Sequence, residues 1–175
     1  MYIVIITIMS AKLDAKDLAI LTLIQENSKL TAKQIAKKIN APITTVFAKT
    51  KRMEEMGIIN GYRAIVTPEK LNAGTVAFIL ASVSYRAKEN DAPVSQRTVA
   101  EEIARFPEVQ EVHIITGDWD LLVKLRAESV DAIGKFVVDK LRLIKGLEKT
   151  LTCMVFKTVK ETTTIVVPLK NFGKP

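Results

Sequence analysis

The first third of the chain has apolar residues at helical spacing. Leu18, Leu21 and Ile24 share one face of an amphipathic helix that we expect to end near Asn27. This pattern predicts a first helix in a small α-helical domain.

Two shorter helices follow with tight connections. In LTAKQIAKKIN, Thr31 and Gln34 have the spacing of a capping box, which predicts the start of a second helix. In the third helix, Pro42 suits the first helical position and Gly57 suits a C-terminal stop. Three short helices connected in this way predict a helix-turn-helix unit.

The third helix is expected to have a buried stripe and an exposed face. The predicted stripe consists of Ile43, Val46, Thr50, Met53 and Met56. Hydroxyl groups near the start of such a helix can approach base edges, and its cations can neutralise phosphates or bind guanine. The residues predicted to contact DNA, with one lysine from the second helix, are Lys33, Thr44, Thr45, Ala48, Lys49, Lys51 and Arg52. Three-helix bundles that bind nothing have the same pattern, so the pattern alone leaves that alternative open.

A turn signal and a change of period follow the helices. Asn60-Gly61 predicts a turn and YRAIV a short strand, so that a hairpin would make the unit winged. From Thr75 onward, strands alternate with helices. The predicted elements are the strand TVAFILASVSYR, the helix RTVAEEIARF, the strands VQEVHIITG and WDLLVKLRA, the helix SVDAIGKFVVDKLRLIKG and the strand LEKTLTCMVFKTVKE.

The order βαββαβ is the ferredoxin-like arrangement, so the predicted fold class is α+β with two domains. Two helices cover one face of such a sheet, and the other face here is rich in Val, Ile and Leu. Because exposing that apolar face to water is unfavourable, we expect a homodimer. The predicted segments are an apolar extension (1–9), a winged helix-turn-helix (10–66), a hinge (67–74), a ferredoxin-like domain (75–162) and a tail (163–175).

Charge and composition narrow the function classes. The net charge is +7, and residues 10–70 hold 11 Lys or Arg against 6 Asp or Glu. This excess is typical of a domain with a polyanionic partner, but a solvated helical face explains the charge equally well, so both readings stay open. The single cysteine excludes an intramolecular disulfide and a cysteine-rich zinc site, and it fits a cytoplasmic setting. The segment MYIVIITIM is too short for a membrane span and lacks signal-peptide features, and Met9 is an alternative start.

The stretch TGDWDLL contains two aspartates around the only tryptophan. A catalytic carboxylate pair is unfavoured, because no second motif supplies a cleft or further acid–base groups. A metal site is also unfavoured, since two carboxylates underfill a coordination shell. No cofactor is predicted. A loop that holds a small ligand and a plain hairpin turn both remain open.

The chain resembles the Lrp/AsnC (leucine-responsive, feast/famine) regulators. The matching stretches are LDAKDLAILTLIQENSKLTAKQIAKKI, KRMEEMGIINGYRAIVTPEKLN, TGDWDLLVKL and KTLTCMVFKTVKE. The resemblance implies a transcription regulator that binds double-stranded operator DNA and has a RAM-type domain for an amino-acid effector. It also implies dimers that assemble into tetramers or octamers. The family often has arginine at the position of Lys49 and an apolar residue at that of Thr50, which puts the operator sequence in doubt.

The same resemblance implies an effector site at a contact between subunits. Carried over residue by residue, the effector-binding residues are Gly117, Asp118, Trp119, Asp120, Thr150 and Thr152.

Two other functions stay open. Siroheme decarboxylases are similar in fold and depend on histidines, of which this chain has only His113. The second open function is that of an architectural DNA-binding protein that responds to no effector. RNA binding on the sheet is unfavoured, because the strands offer few aromatic residues, mainly Phe78 and Phe156.

Overall fold

The computed structural model describes residues 13–84 and 94–167. The apolar extension at 1–9, with its alternative start Met9, and the end of the predicted tail lie outside the described residues. The chain divides into two compact units. The first contains the residues up to Ile65 together with those from Glu161 onward, and the second runs from Val66 to Lys160.

The first unit contains the helices α1 (Ala15–Glu26), α2 (Ala32–Lys38) and α3 (Ile43–Glu55). The capping box predicted for α2 is confirmed: the Gln34 backbone N–H donates to Thr31 Oγ1 at 3.3 Å, and the Thr31 N–H donates to Gln34 Oε1 at 2.8 Å. A second capping box, not predicted, starts α1, where Asp14 and Asp17 each accept from the other's backbone N–H. The helix starts are therefore fixed by side chains close in sequence.

The core of the first unit is small and apolar. Its central side chains are Ile20, Ile35, Val46 and Met53, all buried. The predicted stripe of α3 is wrong at both ends, since Ile43 and Met56 are exposed. The 13-residue α3 is longer than the seven-residue α2 against which it packs, so its ends extend past the core.

The two ends of α3 differ from each other in how they are capped. Pro42 is the N-cap rather than the first helical residue, and it provides no side-chain hydrogen bond. At the other end Gly57 adopts a left-handed φ of +67°, and the N–H of Ile58 donates to the carbonyl of Met53 at 2.9 Å. This Schellman arrangement confirms the stop predicted at Gly57.

The predicted strand YRAIV is not observed. Residues 61–67 lie in neither a helix nor a strand, and Ile65 is exposed. A strand needs a neighbour that accepts and donates its backbone hydrogen bonds, and an isolated strand is not stable in water. This segment therefore has β-forming residues without a paired strand among the described residues.

The second unit consists of β1 (Thr75–Val83), α4 (Gln96–Ile103), β2 (Val109–Ile114), β3 (Leu121–Ala127), α5 (Val130–Asp139) and β4 (Leu147–Met154), preceded by a 3₁₀ turn at Pro68–Leu71. The strands form one antiparallel sheet in the order β2-β3-β1-β4. This topology confirms the predicted ferredoxin-like arrangement.

The two faces of this sheet differ in burial. Ile79 and Val123 lie on the face covered by the helices and are completely buried against residues such as Ile103. On the other face, Leu80 is paired with Leu122 and Leu151, and Leu151 is exposed. The face of the sheet that carries these three leucines is thus left without a covering layer from the described residues.

Two predicted elements end earlier than expected. The helix predicted to reach Gly146 ends at Asp139 and is followed by a 3₁₀ turn at Leu141–Leu143. The tighter turn brings Leu141 and Ile144 into the core, where both are buried. The last strand ends at Met154 instead of continuing to Glu161. Within the described ranges, no helix has the length and apolar content that crossing a membrane requires.

Candidate functional site

The exposed face of α3 presents three of the side chains that were predicted to contact DNA. Thr44, Ala48 and Lys51 follow one another at helical spacing on the side opposite the buried Val46, and all three are exposed, while Thr45 beside them is partly buried. The arrangement can place a hydroxyl, a methyl group and a cation into a groove about as wide as one helix.

Phe47 belongs to the same exposed surface and was missed in the sequence. Its side chain is 64% exposed, although phenylalanine is normally buried. Along α3 it follows Thr44 by three residues and precedes Lys51 by four, and it adjoins the buried Val46. The spacing of the buried positions Val46 and Met53 was therefore the signal that could have predicted its exposure.

Lys49 and Arg52 lie on the side of α3 that faces α1. The Lys49 ammonium donates to Asp14 at 2.5 Å and to Asp17 Oδ1 at 3.1 Å, and an Arg52 guanidinium N–H donates to Asp17 Oδ2 at 2.7 Å. The Asp17 side chain is completely buried, and Lys49 is only 17% exposed. These four residues, which we call the α1–α3 clamp, fix the orientation of α3. Direct contact of Lys49 and Arg52 with DNA stays a prediction.

The contacts within the clamp also shift the pKa values of Asp14 and Lys49. The hydrogen bond from Lys49, with those from the backbone N–H groups of Asp17 and Lys16, lowers the pKa of Asp14 from 3.8 to about 2. Burial of the Lys49 ammonium opposes its charge, but the hydrogen bonds to Asp14 and Asp17 outweigh burial and raise the pKa of Lys49. Both groups are therefore charged at neutral pH.

A basic cleft lies beside the start of α3. It has a volume of about 460 Å³, and its lining includes Lys33, Lys37, Asn40 and Pro42. Lys33 is exposed, in agreement with the surface position that its predicted role needs. These two cations of α2, beside a helix start without a side-chain cap, can hold a phosphate next to a helix that lies in the groove.

In the second unit, GDWD forms the connection between β2 and β3. Gly117 adopts a positive φ of 117°, a conformation that favours glycine. Asp118 is exposed, and Trp119 is partly buried. Among the described residues, the carboxylate of Asp118 has no hydrogen bond or ion pair, so it is available to a ligand.

Asp120 has a different environment from Asp118. Its Oδ2 accepts a hydrogen bond from the Val83 backbone N–H at 2.7 Å, and its Oδ1 accepts one from Gln96 Nε2 at 2.5 Å. Its own backbone N–H donates to the carbonyl of Ala81 at 2.9 Å. Asp120 thus ties the turn to the end of β1 and the start of α4, and its direct contact with an effector stays a prediction.

The two threonines lie on the other side of β1 from the turn. Thr150 and Thr152 of β4 are paired with Ala81 and Ile79 of β1, whereas the GDWD turn precedes β3. Two strand spacings amount to roughly 10 Å, so a free amino acid does not bridge them easily within one chain. A cleft of about 480 Å³ includes Thr150 and Arg142 in its lining, but none of the GDWD residues.

His113 lies on the uncovered face of the sheet. Its Nε2 is 3.2 Å from Glu111 Oε2, and Lys124 Nζ donates to Glu111 Oε1 at 3.0 Å. The hydrogen bonds from His113 and then Lys124 lower the pKa of Glu111. The histidine is thus part of a surface charge cluster. Within residues 13–84 and 94–167, no three His, Cys, Asp or Glu side chains are grouped to hold a metal ion.

Family models match both units. The model described as a winged helix-turn-helix DNA-binding domain matches residues 13–60, and the model described as the Lrp/AsnC ligand binding domain matches residues 77–165. The predicted fold class is confirmed by these matches, although the segment that follows α3 forms no strand here.

Curated relatives are similar over nearly their whole length. An uncharacterized HTH-type transcriptional regulator of Pyrococcus horikoshii is 44% identical over 149 residues, which cover 85% of this chain and 96% of the relative. The HTH-type transcriptional regulator FL11 of Pyrococcus furiosus is 34% identical over 155 residues, which cover 89% and 97%. Both relatives are HTH-type transcriptional regulators.

Solved structures show the same architecture. A transcriptional regulator of Neisseria meningitidis in complex with L-Met has a TM-score of 0.79 at 30% identity, covering 90% of this chain and 97% of that one. Escherichia coli AsnC has a TM-score of 0.76 at 22% identity, covering 87% and 97%, and supports the fold alone. The chain therefore belongs to the Lrp/AsnC family and is a DNA-binding transcription regulator.

Proposed function

We propose that this regulator binds operator DNA through the exposed face of α3 and responds to an amino acid held at a contact between two subunits. It acts in the cytoplasm as a homo-oligomer and catalyses no reaction. The observation that supports the DNA-binding part is the exposed surface of Thr44, Ala48 and Lys51 on α3, the helix whose start borders the basic cleft.

The predicted DNA-contacting residues have two different roles in this proposal. Lys33 and Lys51 bind phosphates, and Thr44, Thr45 and Ala48 approach base edges. Lys49 and Arg52 act as positioning residues, because their charges are already paired with Asp17 in the α1–α3 clamp. A helix held at the wrong angle cannot place its side chains in the groove, so loss of the clamp weakens binding without loss of a phosphate contact.

The salt dependence of DNA binding tests this division. Each phosphate contact contributes about 0.9 to the slope of log K against log salt concentration. Lys51→Ala is expected to weaken binding and to reduce the slope by about one, whereas Lys49→Met weakens binding with the slope unchanged. Lys135→Ala, an exposed lysine of α5, is the control. A reduced slope for Lys49→Met would mean that Lys49 contacts phosphate directly.

The effector part of the proposal depends on the GDWD turn. A positive φ at Gly117 turns the backbone sharply, so that peptide N–H groups can approach a carboxylate, and the exposed Asp118 can accept an ammonium group. The Neisseria meningitidis regulator, similar over most of this chain, was solved with L-Met. Since Thr150 and Thr152 are too far from this turn within one chain, a neighbouring subunit supplies them.

Thermal stability in the presence of each of the twenty amino acids tests the effector. A ligand at 100 times its dissociation constant stabilises the folded state by about 2.7 kcal/mol. Asp118→Ala is expected to abolish the shift, and Asp139→Ala, an exposed carboxylate on α5, is expected to retain it. If no amino acid shifts the wild type, the protein is an effector-independent DNA binder. An unchanged shift in Asp118→Ala would make GDWD a structural turn.

The uncovered sheet face is the proposed dimer contact. Leu80, Leu122 and the exposed Leu151 form an apolar row across three strands. Leu151→Asp is expected to raise the dimer dissociation constant by about 100-fold, because two carboxylates enter an apolar contact. Val138→Asp, at an exposed position of α5, is the control. If analytical ultracentrifugation shows that Leu151→Asp is still a dimer, this face is not the dimer contact.

A further inference from the structure

Phe47 is the most exposed of the large apolar side chains on α3. It is 64% exposed, whereas the neighbouring Val46 is buried and forms part of the core. An exposed phenyl ring adds little to the stability of the unit, because most of its surface remains in water. Its position must therefore be explained by something outside the core.

The surroundings of Phe47 point to DNA. It lies one helical turn from Thr44 and one from Lys51, on the helix next to the cleft that contains Lys33. Cations on either side attract a polyanion, and the ring between them carries no charge and offers no hydrogen bond. This step rests on the proposed function, in which α3 enters the major groove.

The major groove presents one apolar group, the C5-methyl of thymine. Guanine, cytosine and adenine present hydrogen-bonding groups there, which a phenyl ring cannot satisfy. We propose that Phe47 is a specificity-determining residue that packs against thymine methyl groups. It thereby selects A·T pairs at fixed positions of each operator half-site, while Lys33 and Lys51 contribute affinity for any sequence.

The test uses the full-length protein and DNA in which single thymines are replaced by deoxyuridine, which lacks only the methyl group. The preferred site is first selected from random DNA with the wild type. Loss of one buried methyl contact is expected to weaken wild-type binding about fourfold at the contacted thymines. Phe47→Ala should bind the thymine and uracil sites equally. Phe156→Ala, a fully exposed phenylalanine of the second unit, should behave as the wild type.

The outcomes separate this inference from the proposed function. If the wild type selects no sequence at all, the proposed binding mode fails. If it selects a site but is insensitive to uracil, or if Phe47→Ala keeps the full uracil effect, only the role of Phe47 is overturned. Because Phe47 lies outside the core, the variant should melt as the wild type does, and Phe47→Leu should restore part of the uracil effect.

Discussion

In the function proposed above, the two units differ in how much of each binding site one copy of the chain contains. In the first, the face of α3 is complete within one chain, and its orientation is fixed by ion pairs with α1. In the second, the GDWD turn and Thr150 lie on opposite sides of β1, and one sheet face is uncovered. A recognition helix needs only a stable support, whereas a regulatory site gains from being built by two copies, because ligand binding then reports on assembly.

The units are also stabilised in different ways. The core of the first is a small apolar cluster around Ile20 and Met53, and the buried Asp17 lies at its edge. The core of the second is a larger apolar layer between the sheet and its two helices. A small core buries little apolar area and therefore contributes little free energy of folding. We therefore expect the α1–α3 clamp to account for a larger share of the stability of the first unit than any single polar bond does in the second.

The largest effect is expected from Asp17→Ala. The substitution removes the carboxylate that holds Lys49 and Arg52 and leaves the Lys49 ammonium in a largely buried place. Breaking a buried ion pair costs about 3–5 kcal/mol, and the partial exposure of Arg52 reduces this to about 2–4 kcal/mol. Chemical denaturation should show the first unit unfolding earlier, with the transition of the second unit unchanged.

Glu55→Ala is the matched control for Asp17→Ala. Glu55 forms an exposed pair with Lys51 at 3.7 Å, so its removal should change stability by less than about 0.5 kcal/mol. Equal effects of the two substitutions would show that the clamp is no more than a surface contact.

The next effect is expected from the two aspartates of the GDWD turn, which provide a comparison within the second unit. Asp120→Ala leaves the N–H of Val83 and the amide of Gln96 without their acceptor and should cost about 1–3 kcal/mol. Asp118→Ala, at an exposed position, should leave stability unchanged. Thermal melting of the two variants without ligand measures the difference. A stable Asp120→Ala variant would show that the turn does not depend on this carboxylate.

Much of the fold followed from the sequence, because local signals fix it. The capping spacing of Thr31 and Gln34 and the glycine at position 57 act over a few residues, and both were confirmed. The alternation of strands and helices after Thr75 gave the sheet topology. The segment YRAIV was predicted wrongly, since strand formation depends on a neighbouring strand that the sequence does not reveal.

The site was harder to predict, because side-chain partners are distant in sequence. Lys49 and Arg52 look like free cations in a basic helix, and their carboxylate partner Asp17 lies more than thirty positions earlier. The exposure of Phe47 was not predicted, because phenylalanine is normally buried. Whether the effector residues Thr150 and Thr152 act with the GDWD turn depends on a second chain, so it stays a prediction.

The smallest effect is expected from the charge of Asp14. Asparagine caps helices as well as aspartate does, so Asp14→Asn removes the charge opposite Lys49 while keeping the cap. The pKa of Asp14 is lowered from 3.8 to about 2, so its contribution is present above pH 3.8 and is lost as pH falls towards 2. Since the Asp14 side chain is 59% exposed, solvent screening limits the contribution to less than about 1 kcal/mol at neutral pH. Denaturation of both proteins between pH 7 and pH 2 should show a difference in stability at neutral pH that closes below pH 3.8; equal stability of the two proteins at neutral pH would mean that the carboxylate supplies the cap, which asparagine retains, and not an ion pair with Lys49.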